Sequence, residues 1–410
     1  MKWPIPRGRI SHPLALEFKD LIHSIFFPKK NPALIREYEQ AVGKYLKSDT
    51  PILFPFARTG LFAILDILNL PAGSRILMPS ITIKPLLDVA LHFRLKPILV
   101  DLDIQSGCWD PKTLEIALRS EPSVALITYL FGVVPNLDEI LPKLAEANVI
   151  VIEDFSQAFG ARFKGKSLGT IGDFGICSTS STKTLDTYGG ALVLSKDGSY
   201  QDNLGNSRNS LSPPKKSTLL KKILKNIVRN LATNKLVFGL FTFPLIRTIN
   251  SRSKVKVGKF TGDRSLSPIA TLPTEWFEGP SAFQAKVGLR ELLSQKDKDR
   301  DRILIANRYS RELKSLGPRG TVNGDSVYWQ YISVKDRAID FRNFLNSESI
   351  DCATTSLVKL SELSEYGLAS ELPGTNAIYD RGVYLPCYHQ LKYDEQTRII
   401  EAVRVFDARK

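Results

Sequence analysis

Three short stretches of this 410-residue chain carry side chains that could act together on one ligand. The first is Ser178-Thr179-Ser180-Ser181-Thr182-Lys183-Thr184, followed by Tyr188-Gly189-Gly190. A lysine amine among hydroxyls suits a Schiff base to a carbonyl cofactor, with the hydroxyls donating to that cofactor's phosphate. A solvated lysine in a surface Ser/Thr loop would read the same way. The second stretch is Val151-Ile152-Glu153-Asp154-Phe155-Ser156-Gln157-Ala158-Phe159-Gly160. A carboxylate at a strand end, with Gln157 three residues on, could grip two edges of one ring. A turn-forming Asp is the alternative. The third is Arg58-Thr59-Gly60, just before a helix that begins near Leu61. The first N–H groups of a helix lack intrahelical partners, and its dipole favours an anion such as phosphate. An ordinary Thr N-cap is the alternative there. No one stretch is decisive. Their order and spacing carry the argument.

The elements that must position these residues are legible between positions 50 and 195. Apolar spacing predicts helices over 61–68, 84–93, 111–119 and 137–147. Short apolar runs predict strands over 75–78, 97–100, 124–129, 149–152, 174–178 and 190–194. Strands alternating with helices predict an α/β fold built on a mostly parallel sheet, here of the seven-stranded type with flanking helices. Ligands bind at the carboxyl ends of strands in such sheets, and Asp154 directly follows one. From about residue 275 the pattern changes to a long helix (283–316), a strand (326–334), a helix (338–345) and a last helix (394–406). That predicts a large domain over 1–275 and a smaller α+β domain over 276–410.

Composition excludes several classes. The four cysteines, Cys108, Cys177, Cys352 and Cys387, are scattered, and the four histidines form no cluster, so no metal site is expected. No apolar run reaches membrane-spanning length, and the N-terminus lacks the apolar core of a signal peptide, which predicts a soluble cytoplasmic protein. The net charge of +14 is concentrated in one segment. Residues 203–262 contain thirteen Lys or Arg and no Asp or Glu, so the remainder is close to neutral, at about +1 by subtraction from +14.

Taken jointly, the three stretches resemble the DegT-type nucleotide-sugar aminotransferases, which are fold-type I enzymes dependent on pyridoxal phosphate (PLP). The residues that carry the resemblance are Thr59, Pro79-Ser80, Lys96-Pro97 through Asp101, Glu153-Asp154, Gln157, Gly160, Gly172-Asp173, Ser178, Thr182-Lys183 and Leu385-Pro386. It is strong over about 50–200 and weak over 280–405. It implies that Lys183 binds the cofactor and later shuttles a proton. Asp154 would keep the ring nitrogen protonated, and Gln157 would bond the ring hydroxyl. Thr59, Gly60 and Ser178 would hold the phosphate. It also implies a homodimer, an amino donor such as glutamate, and a nucleotide-linked keto-sugar acceptor used in polysaccharide or lipopolysaccharide assembly.

The chain departs from the family at several points. Ile83 stands where an aromatic ring usually stacks on the cofactor. Arg58 replaces a glycine and could add charge at the phosphate. Phe277-Glu278-Gly279-Pro280 replaces a segment whose Asn reaches the partner subunit's phosphate. These changes keep open a non-catalytic or regulatory member of the same fold. The basic segment 203–262 is the other departure. Leu220, Ile223, Leu224, Ile227, Val228 and Leu231 recur at helical spacing, with Lys221, Lys222, Lys225 and Arg229 on the other face. An apolar hairpin at Leu236–Ile246, interrupted by Pro244, is expected to follow. Three readings stand: peripheral contact with the inner face of a membrane, packing of the apolar face on the enzyme or its dimer mate, or attraction of a diphosphate-bearing substrate. Interleaved stacking aromatics are missing, which excludes nucleic acid as a partner.

Overall fold

A computed structural model describes the whole chain except residues 1, 28–30, 253–268, 270, 315, 369 and 410, and the side chains of 249–252 and 364. Its centre is a seven-stranded sheet. In chain order the strands are β1 (Ile52–Phe54), β2 (Arg75–Pro79), β3 (Lys96–Val100), β4 (Val124–Thr128), β5 (Ile150–Asp154), β6 (Phe174–Ser178) and β7 (Ala191–Ser195). Across the sheet they run β1-β7-β6-β5-β4-β2-β3, and β7 alone is antiparallel to its neighbours. The expected α/β class and mostly parallel seven-stranded sheet are therefore observed.

The strands read as continuous apolar runs because both faces of the sheet are covered. Leu53, Leu77, Val100, Ala125, Ile127, Cys177 and Leu192 enter one buried cluster. Their neighbours Ile52, Phe54, Ile76, Met78, Val124, Leu126, Ile176 and Val193 enter another on the opposite face. Helices α1 (Leu14–Phe26), α2 (Pro32–Leu46), α3 (Ala57–Leu68), α4 (Lys84–His92), α5 (Pro111–Leu118) and α6 (Leu141–Glu146) belong to this half of the chain. The sequence does not announce α1, α2 or the three-residue β1. The predicted helix over 137–147 is a 3₁₀ turn at Leu137–Glu139 followed by α6, because Pro142 sits in the first turn of α6 and starts it afresh.

The basic segment is mostly helical in its described part, with α7 (Gln201–Asn209), α8 (Lys216–Thr233) and α9 (Phe243–Arg252), and a non-helical connection over 210–215. The expected hairpin at 236–246 is instead a helical turn, one π turn over Phe238–Thr242, and the start of α9. Pro244 lies one residue past the π turn in a continuous run of helical turns, so its missing N–H falls where the helix changes from π to α. Residues 253–262 of the expected insertion, including Lys254, Lys256 and Lys259, lie outside the described residues.

The C-terminal part holds α10 (Ala282–Glu312), β8 (Tyr331–Val334), α11 (Ala338–Ser347), α12 (Pro373–Arg381), β9 (Gly382–Leu385) and α13 (Tyr393–Asp407). β8 and β9 pair antiparallel. The predicted strand over 326–334 shortens to β8. The N–H groups of Val327 and Tyr328 bond Gly132 O instead, at 2.9 and 3.1 Å. Ser281 and Gln284 form a capping box that starts α10.

Candidate active site

Strand direction puts the three chemical stretches on one edge. β1, β5 and β6 all run the same way, so their carboxyl ends lie together. α3 with Thr59 follows β1, Asp154 ends β5, and Ser178 ends β6. The loop bearing Lys183 joins β6 to the antiparallel β7.

Asp154 is buried. Its Oδ1 accepts the Ser156 N–H at 3.0 Å. The Ser156 hydroxyl in turn accepts the Ser178 N–H at 2.8 Å, which ties the ends of β5 and β6. Burial pushes the Asp154 carboxyl up, against the Ser156 bonds and the charge of Lys183. Burial likewise pushes the Lys183 amine down, against the pull of Asp154. Each group is driven toward its neutral form by low local polarity. Glu153, next to Asp154, holds the surrounding backbone together. It accepts from the Tyr129 hydroxyl and from the Ile171 and Gly172 N–H groups, at 2.6, 2.7 and 2.8 Å.

The lysine loop is held in an unusual shape. Thr182 has φ +76°, rare for a β-branched residue, and Lys183 N–H bonds Ser180 O at 3.1 Å. Trp329 clamps the loop from the C-terminal part. Its indole N–H donates to Thr182 O at 2.7 Å, and Lys183 Nζ lies 4.5 Å from its ring centroid. The sequence does not distinguish Trp329, since no local pattern ties it to a loop about 150 positions away. Ser156 is likewise invisible there as a bridge.

The remaining predicted residues fall as follows. Gln157 is buried, and its Oε1 accepts the Phe131 N–H at 2.7 Å, which fixes the orientation of its amide. Ser178 Oγ donates to Ser180 Oγ at 3.1 Å. Thr59 is buried, but its hydroxyl donates to Trp276 O at 2.7 Å. The Thr59 and Gly60 N–H groups both go to Phe56 O, at 3.1 and 3.0 Å, so neither is free for an anion. Gly60 is needed for packing: a Cβ there would lie 2.5 Å from Val193 Cγ2. Arg58 is sandwiched between the Phe56 and Trp276 rings, 4.1 and 4.4 Å from their centroids. Ile83 caps α4 and is 41% exposed. The aromatic ring that meets Lys183 is thus Trp329. No cluster of metal-ligating side chains exists among the described residues. All four cysteines are buried and unpaired.

Lys222, on α8, is the unexpected arrival. Its Nζ lies 4.6 Å from the Phe56 ring centroid, on the ring that Arg58 also contacts. The insertion is stapled there by Glu278, which accepts from Lys215 at 2.6 Å and Thr218 at 3.0 Å. Glu278 belongs to the very segment in which the chain departs from its expected pattern.

A lysine and a carboxylate at the carboxyl edge of such a sheet define the architecture of the PLP-dependent aminotransferases. The sequence profile of the DegT/DnrJ/EryC1/StrS aminotransferase family matches residues 21–218 and 281–404, and the chain belongs to that family. Among curated relatives, the L-glutamine:2-deoxy-scyllo-inosose aminotransferase of Micromonospora echinospora is 28% identical over 137 residues, which is 33% of each chain. The GDP-perosamine synthase of Caulobacter vibrioides is 27% identical over 163 residues, 40% of this chain and 44% of that one. The match thus spans 33% to 44% of these relatives' length. The structure of DesV from S. venezuelae superposes with a TM-score of 0.73 at 18% identity, covering 100% of both chains, which is a likeness of fold.

Proposed function

We propose that the protein is a PLP-dependent aminotransferase that moves an amino group, from L-glutamate, to a nucleotide-linked keto-sugar in surface-glycan biosynthesis. The observation that carries this is the buried Asp154 at the carboxyl end of β5 with the half-buried Lys183 on the adjoining β6–β7 loop, which Trp329 clamps. PLP, when bound, supplies a ring that withdraws electrons from the carbon bearing the amino nitrogen. A lowered amine pKa leaves more of Lys183 as free base, which can attack a carbonyl carbon and later carry a proton at Nζ. Asp154 keeps one oxygen on Ser156 and offers the other to a ring N–H. Next to a protonated ring nitrogen, Asp154 would be held as its anion. Gln157, fixed through its Oε1, offers its Nε2 to the ring hydroxyl. Ser178 offers its hydroxyl to the phosphate. Thr59 acts by holding Trp276, which positions Arg58 at the start of α3.

Visible absorbance tests this. Wild-type protein with PLP should show the band of a lysine-bound cofactor, Lys183→Ala should lack it, and glutamate should bleach it. No band in the wild type ends the proposal. A band that glutamate never bleaches favours the non-catalytic alternative instead.

We further propose a homodimer, a division into domains near residue 276, and membrane contact through the outer face of the insertion. The last rests on Leu236, Leu240, Phe241 and Leu245, all more than half exposed beside a basic helix. No described helix is long and apolar enough to cross a membrane. Liposome co-sedimentation that persists after removal of 216–252 would exclude this contact.

A further inference from the structure

We propose that the insertion helix α8 completes the cofactor's phosphate site from within the same chain, with Lys222, Arg58 and Gln284 forming a cup of donors at the start of α3. This rests on the PLP assignment above. The cup is built from three separate elements that converge. Lys222 Nζ and Gln284 Nε2 would each lie 2.9 Å from a Cβ placed on Gly189, so both reach one point on the lysine loop. Gly189 has φ +123°, a conformation that side chains rarely adopt, and its bare backbone is what lets both side chains approach so closely. Arg58 joins through the Phe56 ring, which it shares with Lys222.

Every group in the cup is a donor. Gln284 is buried, its Oε1 is occupied by the Ser281 N–H at 3.1 Å, and its Nε2 has no acceptor among the described residues. A buried amide N–H without a partner is costly, and it marks a place where a ligand oxygen belongs. Lys222 faces a like charge in Arg58. The nearest opposite charge, Glu278, already bonds Lys215 and Thr218. Burial and Arg58 together push the Lys222 amine down to about 8. A lysine amine and an unpartnered buried amide N–H that converge on one point of the lysine loop call for an anion. The segment 277–280, where the resemblance expects a partner-subunit asparagine to be presented, here anchors the insertion instead through Glu278 and the Ser212–Glu278 bridge.

The same chemistry would also suit the diphosphate of a nucleotide-sugar, so the test separates the two sources. Full-length wild type, Lys222→Met and Gln284→Glu are titrated with PLP, with pyridoxal, which lacks the phosphate, and with uridine diphosphate. Glutamate at 284 preserves the capping box and reverses the donor. The expected result is that both variants weaken PLP by on the order of ten- to a hundredfold, while pyridoxal changes less than about twofold. Equal loss for PLP and pyridoxal, or no loss for either, overturns the proposal. So does loss confined to uridine diphosphate. Failure of the wild type to bind PLP or pyridoxal would instead overturn the PLP assignment itself. Unchanged far-ultraviolet circular dichroism of Gln284→Glu separates a local effect from misfolding.

Discussion

At the scale of single residues, chemistry and packing are interleaved. Gly60 looks like part of a phosphate loop, yet its lack of a side chain serves the contact of α3 with Val193. Gly60→Ala should therefore destabilise the fold by about 1–3 kcal/mol through overpacking, measured by urea denaturation. Pyridoxal and PLP affinities should fall together in that variant, in contrast to Lys222→Met. The same measurement applies to Ser156 for a different reason. Ser156→Ala strips the acceptor from the half-buried Ser178 N–H and should cost about 1 kcal/mol. Lys183 and Asp154 were legible through their order and spacing relative to Thr59 and to the predicted strand ends, since neither residue is decisive alone. Ser156 and Trp329 were not, because a serine bridge and a loop clamp leave no periodic trace. Asp101, noted only as part of a resemblance, caps α12: it accepts the Gly374 and Thr375 N–H groups at 2.9 and 2.7 Å.

At the scale of elements, the insertion helix shows how pattern and burial differ. The stripe on α8 suggests six apolar core positions. Only Ile223 and Ile227 of those are buried, together with Leu219, against Tyr188, Phe283 and Val287. Leu224, Val228 and Leu231 stay exposed. The buried face turns because Asn226 and Asn230 point inward to Glu17, at 2.7 and 2.9 Å. Beside them His12 is fully enclosed, stacked on Tyr188 and lying 3.2 Å from Glu291 and 3.5 Å from Asp186. Burial opposes its charge, but Asp186 and Glu291 prevail and push His12 up to about 10. A raised histidine contributes stability that is complete below its unfolded value of 6.5 and is lost as pH rises toward 10. Wild-type stability should therefore fall between these limits by on the order of a few kcal/mol. His12→Gln should be less stable at pH 6 and should show a flatter profile across that window, by chemical denaturation. Asp186 also bonds the Tyr188 N–H at 2.8 Å, so this network steadies the loop downstream of Lys183.

At the scale of the whole molecule, the insertion joins the N-terminal helix, the lysine loop and α10 into one buried cluster. Its outer side remains apolar and basic. Phe241 is 69% exposed and Leu245 61%. If that side meets a membrane, Phe241→Asp with Leu245→Asp should abolish co-sedimentation with anionic liposomes. The visible cofactor band should survive, because neither residue touches the lysine loop. If it meets a second copy instead, sedimentation velocity should show the double variant dissociating while liposome binding never occurs in the wild type.

The sequence by itself determined the α/β class, the strands that end in Asp154 and Ser178, and the lysine that follows them. These depend on local periodicity and on residue types whose spacing along the chain is fixed by the strand-and-helix unit. Tertiary structure alone decided what surrounds them. Trp329 reaches the lysine loop from the C-terminal part, Glu278 binds the insertion, and Lys222 arrives beside Arg58 and Gln284. Such contacts join residues far apart in the chain, and their register is set by how helices pack on a finished sheet. A basic stripe declares that a helix has a charged face. Only the fold decides which of its lysines is turned inward.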